Sequence, residues 1–84
     1  MLPKDRMVDI LADLELTRAV VYGCANANQA VANQLFREHV QCIYQKYAVD
    51  PAVFQQSYLY YLNHPELMQD IYVLVIARLE ELLL

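Results

Sequence analysis

Apolar residues recur along this chain at intervals of three and four, and breaks in that rhythm divide it into helical segments. The breaks fall at Pro3, from Gly23 to Asn28, at Asp50-Pro51 and at Asn63-His64-Pro65. In the first segment, about Pro3 to Tyr22, one stripe holds Met7, Ile10, Leu11, Leu14 and Val21, with Pro3 suited to a first helical turn and Asp5 to the positive helix end. The second, about Asn28 to Tyr47, carries Ala32, Phe36, Val40, Ile43 and Tyr47, flanked by Leu35 and Cys42. Asp50-Pro51 joins an N-cap acceptor to a proline whose missing N–H would have been unpaired anyway, so a third helix starts there. It turns Phe54, Ser57, Tyr58, Tyr61 and Leu62 inwards and leaves Gln55, Gln56 and Tyr60 on the other side.

Asn63-His64-Pro65-Glu66 repeats the device, with His64 as the capping position, and a fourth helix runs from about Pro65 to Leu82. Its apolar face holds Met68, Ile71, Tyr72, Val75, Leu79 and Leu82, with Leu67 and Leu74 at the border and Val73 and Ala77 inside the polar arc. The expected fold is all-α, a single helical domain over residues 1–84. We expect a compact bundle of about four helices, the last two joined by the tight Asn-His-Pro turn.

Composition narrows the function by exclusion. A chain that is 58% hydrophobic and 19% charged packs rather than staying disordered. Its lone glycine rules out phosphate loops built on several glycines. Six basic against ten acidic residues give a net charge of −4, which argues against nucleic acid as a partner. The longest apolar run, Ile71 to Ala77, is far short of the roughly 20 residues of a membrane-spanning helix. Met1 to Arg6 lacks an apolar stretch of signal-peptide type, so any export signal is expected to have been upstream and removed.

Candidate chemistry is sparse. Cys42 follows His39 by three residues, but a zinc site needs further ligands at suitable spacing. A small buried cysteine is the expected reading, with a Cys24–Cys42 disulfide as its rival. Asp5, Asp9 and Asp13 stack on one helix face, either as a cation or acidic contact site or as a solvated face relieved by Lys4, Arg6 or an arginine from another helix. We favour the solvated face. The Glu-x-x-His spacing of di-iron bundles is absent, and His39 is expected to be hydrogen-bonded and partly buried at the edge of an apolar stripe. The hydroxyl nucleophiles are limited to Thr17 and to Ser57, which is expected in the core. No catalytic, cofactor-binding or metal-ligating residue is assigned, and the chain is expected not to be an enzyme. His39, Cys42 and an acid converging in an open, water-filled hollow as the walls of a reaction site would overturn that expectation.

Domains of this size bury only about 60–65% of the surface that they expose when unfolded, so a chain this apolar should leave a patch uncovered. The expectation is a homo-oligomer, a dimer first, with Tyr60, Val73, Leu83 and Leu84 at the partner interface. The alternatives are a monomer whose wide faces are met on both sides by other helices, and a carrier of a small apolar ligand.

Two stretches carry a family resemblance: Leu2-Pro3-Lys4-Asp5-Arg6-Met7-Val8-Asp9-Ile10-Leu11, then Phe54, Ser57, Tyr60-Tyr61, His64-Pro65-Glu66 and Ile71-Tyr72. Nearly the whole chain resembles domain of unknown function 4296, a family of short bacterial cell-envelope proteins. The resemblance implies an all-helical domain in the bacterial envelope, tethered to the membrane only through a lipid anchor on a precursor; as a self-associating binding module the chain is further expected to contact an envelope protein. It implies no catalytic residue.

Overall fold

The computed structural model describes residues 1–24 and 28–83, without the side chains of Cys24 and Leu83. Among the described residues four helices follow one another: α1 (Lys4–Cys24), α2 (Gln29–Lys46), α3 (Pro51–Leu62) and α4 (Pro65–Leu83). The all-α bundle expected from the periodicity is therefore the fold, and the element limits fall within a few residues of the breaks in the sequence.

Each helix end has a local cause. The Pro3 carbonyl takes the first hydrogen bond of α1, from the Met7 N–H at 3.1 Å. Asn28 caps α2 by accepting from the Val31 N–H, and Asp50 caps α3 by accepting from the Ala52 N–H at 2.8 Å. α2 ends in a Schellman motif: Ala48 N–H donates to the Gln45 carbonyl and Val49 N–H to the Tyr44 carbonyl, with Ala48 in the left-handed region at φ 53°. His64 takes the capping position expected of it, directly ahead of α4. Its carbonyl accepts from the Met68 N–H, but its ring does not cap α4; ring Nδ1 lies 2.8 Å from the Tyr60 carbonyl and so closes the end of α3 instead.

α1 is the central helix, packed against both α2 and α4, while α3 packs on α4. That position explains why Met7, Val8, Ile10, Leu11 and Ala12 are all buried, an arc wider than one stripe. They join Ile43, Phe54, Tyr61, Met68, Ile71 and Val75 in one core cluster. Ser57 is fully buried, as its place in the α3 stripe predicts. Leu62 and Leu82, expected to face inwards, are instead exposed, each in the last turn of its helix and outside the core cluster.

Beyond Leu14 of α1 and before Ile43 of α2, no described residue belongs to or packs on the core cluster. There the two helices continue as a pair, an arm closed by its own contacts. The Tyr22 hydroxyl donates to Asn33 Oδ1 at 2.5 Å, the Tyr22 and Phe36 rings lie 5.8 Å apart, and the Arg18 guanidinium stands 5.6 Å over Phe36. Val21 and Ala32 are buried there, away from the main core.

Candidate functional site

The groove between α1 and α2 gathers the chain's reactive side chains. Asp13, Leu16 and Thr17 from α1 and His39, Cys42, Ile43 and Lys46 from α2 line an open hollow of about 270 Å³. A second hollow of about 190 Å³ adjoins it, sharing Leu16, Thr17 and His39 and adding Val20 and Val21. Helical spacing is the cause: residues 35, 39, 42 and 46 fall on one side of α2, and residues 13, 16, 17 and 20 on the facing side of α1.

His39, Cys42 and an acid thus do meet in one open hollow, but their bonds lead elsewhere. The Asp13 carboxylate accepts from Lys46 Nζ at 3.0 Å and from the Tyr47 hydroxyl at 2.6 Å. This bond to Asp13 raises Lys46 above the ordinary lysine range, and burial, followed by the same bond, raises Tyr47. His39 Nδ1 lies 2.8 Å from the Leu35 carbonyl, which can only accept, so Nδ1 carries the proton. No carboxylate orients the imidazole. Among the described residues no three His, Cys, Asp or Glu side chains are close enough to share a metal ion.

Two expectations for this groove need correction. Cys42 is an exposed free thiol rather than a buried one, and His39, although hydrogen-bonded, is exposed. Both line the open groove between α1 and α2. The Cys24–Cys42 disulfide rests on a side chain outside the described residues.

The aspartate row is a solvated face with partners. Asp9 pairs with Arg78 of α4 at 2.7 Å and Asp13 with Lys46 of α2 at 3.0 Å, so the relief comes from two other helices. Lys4 is turned to Asp70 at 3.3 Å, and Arg6 donates to the Tyr47 carbonyl at 3.0 Å. Ser57 has no freedom to act as a nucleophile: its Oγ accepts from the Leu2 N–H and donates to the Val53 carbonyl, both at 2.9 Å.

The residues expected at a partner interface divide. Val73 stands out from α4 at 59% exposure. Tyr60 is exposed too, but its ring packs edge-on against Tyr61 at 5.3 Å and over His64 at 4.3 Å. Leu83 and Leu84 lie outside the described side chains. Composition alone did not single out Ile76, Leu59, Val20 and Leu35, all exposed; the signal available for them was apolar residues on the polar side of each helical stripe.

Residues 1–83 match Domain of unknown function (DUF4296). The chain belongs to that family. The match spans the whole four-helix unit. Neither among curated proteins nor among solved structures is there a match to the chain. No described helix is long and apolar enough to cross a membrane.

Proposed function

We propose that this DUF4296 chain is a non-catalytic assembly module of a bacterial cell-envelope protein and that it associates with a second copy of itself. The observation that carries the reading is the number of large apolar side chains left in solvent on a bundle this small. Val20 on α1 and Val31 on α2 are 55% and 49% exposed, Val73 and Ile76 on α4 are 59% and 55% exposed, and Leu59, Leu62, Leu74 and Leu82 are exposed on α3 and α4. Scattered exposed leucines are ordinary, but such a density on 84 residues is the mark of surface held for a partner. The groove supports the non-catalytic part, since Asp13 and His39 are each engaged away from Cys42. The envelope setting and the lipid anchor on a precursor rest on the family resemblance, and an envelope protein as further partner follows from reading the chain as a self-associating binding module. Light scattering over a dilution series tests the reading: mass should fall towards 9.8 kDa as the protein is diluted. A mass of 9.8 kDa held up to millimolar concentration would overturn it.

A second reading has one observation in its favour. Leu11, Leu14, Phe54, Tyr58 and Tyr72, with Glu15 and Arg18 at the edge, line a hollow of about 300 Å³ between α1, α3 and α4. That is the lower end of the size that holds a small molecule, and its walls are apolar and aromatic. Titration with an apolar fluorophore, repeated on Leu14→Glu, separates this reading: saturable binding lost in the variant supports a carrier, and no binding removes it.

A further inference from the structure

We propose that the α1–α2 arm is the surface through which two copies of this chain meet, the two helical hairpins packing face to face as a four-helix bundle. The inference rests on the self-association reading and adds the place. Its first support is contiguity. The two adjoining hollows share Leu16, Thr17 and His39, so one groove runs along the helix pair, with Val20 and Val21 at one end and Asp13 and Lys46 at the other. Val20 and Leu35 stand beside it, 55% and 39% exposed, and Val31, also exposed, lies one turn before Leu35 on the same side of α2.

Charge is the second support. At a net −4, two copies repel wherever acidic faces approach. The upper hollow is lined by Leu16, Thr17, Val20, Val21 and His39, none formally charged at neutral pH, and the lower end carries Asp13 already neutralised by Lys46 at 3.0 Å. The outer side of α4 differs. Asp70 is paired there with Lys4 at 3.3 Å, but Glu80 and Glu81 lie within about two turns of Ile76, so the same face of two copies would bring carboxylates together.

Area is the third. The chain exposes 5778 Å², whereas a compact monomer of its mass exposes about 5,200 Å². Its radius of gyration is 13.4 Å, against about 12 Å for a typical domain of this length. The excess surface, roughly 600 Å², is about three-quarters of the roughly 800 Å² that each partner contributes to a stable interface. An arm outside the core cluster is where such excess arises, and a two-helix layer lacks the second layer that a second hairpin supplies.

The experiment uses the full chain. Sedimentation equilibrium is run on the wild type, on Val20→Glu and Leu35→Glu in the arm, and on Val73→Glu and Ile76→Glu on α4, with helical content checked by circular dichroism. An arm carboxylate should raise the dimer dissociation constant at least about tenfold, and the α4 variants should change it less than about threefold. Dissociation by the α4 variants alone, or by neither pair, overturns the arm while leaving self-association standing; a wild type monomeric throughout removes both. If the arm variants misfold, the thiol gives a second readout. In a Cys24→Ser background, reaction of Cys42 with a disulfide reagent should slow severalfold as concentration rises through the dimer range, and a constant rate overturns the proposal.

Discussion

Tyr61 of α3 donates its hydroxyl to the backbone carbonyl of Leu2 at 2.8 Å, across 59 positions of sequence. The Leu2 N–H is bound in turn to Ser57 Oγ, so α3 holds both polar groups of one residue ahead of α1. Tyr61→Phe removes one of these bonds while keeping the ring, and should destabilise by about 1 kcal/mol. Ser57→Ala strips the acceptor from a partly buried N–H and should cost more, about 1–2 kcal/mol. Urea midpoints at constant m value measure both, and an unchanged midpoint for Tyr61→Phe would show that the link to Leu2 contributes nothing.

Ala48 occupies the position after the α2 C-cap where glycine is usual. Its left-handed backbone costs an alanine about 1–2 kcal/mol, part of which glycine returns as unfolded-chain entropy. Ala48→Gly should therefore stabilise the bundle by about 0.5–1 kcal/mol, seen as a higher thermal midpoint. A lower midpoint would mean that the Cβ of Ala48 contributes more than its strain removes.

Tyr44, Tyr47 and Tyr72 each hold the phenol proton above the ordinary tyrosine range. The hydroxyl pair Tyr58–Tyr72, 3.4 Å apart, and then burial push Tyr72 up to about 12, and burial alone raises Tyr44. A tyrosine with a raised value holds its proton more tightly when folded, so this contribution is complete below about pH 10 and is lost as pH climbs from there through about 12. Tyrosinate absorbance should show Tyr72 ionising late in the wild type and earlier in Tyr58→Phe. No change between the two would assign the shift to burial.

Asp9 and Asp13 sit four residues apart and should respond differently to removal. The Asp9–Arg78 pair is half in solvent, so Asp9→Ala should cost less than about 1 kcal/mol and less still at high salt. Asp13 also accepts from the part-buried Tyr47 hydroxyl, so Asp13→Ala should cost about 1–2 kcal/mol with weaker salt dependence. Equal losses for the two, vanishing together in salt, would reduce the row to surface charge alone.

Much of the architecture was legible because its signals are local. Asp50-Pro51 sets a helix start by one side-chain acceptor and one absent donor, and the spacing of Met7, Ile10 and Leu11 marks a buried face before any partner is known. Cys42 and Leu62 misled for the converse reason. Each lies on an apolar stripe, yet burial requires a neighbouring helix: Cys42 lines an open groove, and Leu62 lies in the last turn of α3, outside the core cluster.

What the chain determined by itself was therefore four helices, their ends and their sidedness, since capping, proline geometry and three-to-four spacing act within a few residues. Tertiary structure decided the rest. It placed α1 between α2 and α4, gave Asp9 to Arg78 and Asp13 to Lys46, and gathered His39, Cys42 and Val20 along one groove. These depend on how helices cross, which is set by packing summed over the whole core and is carried by no single segment.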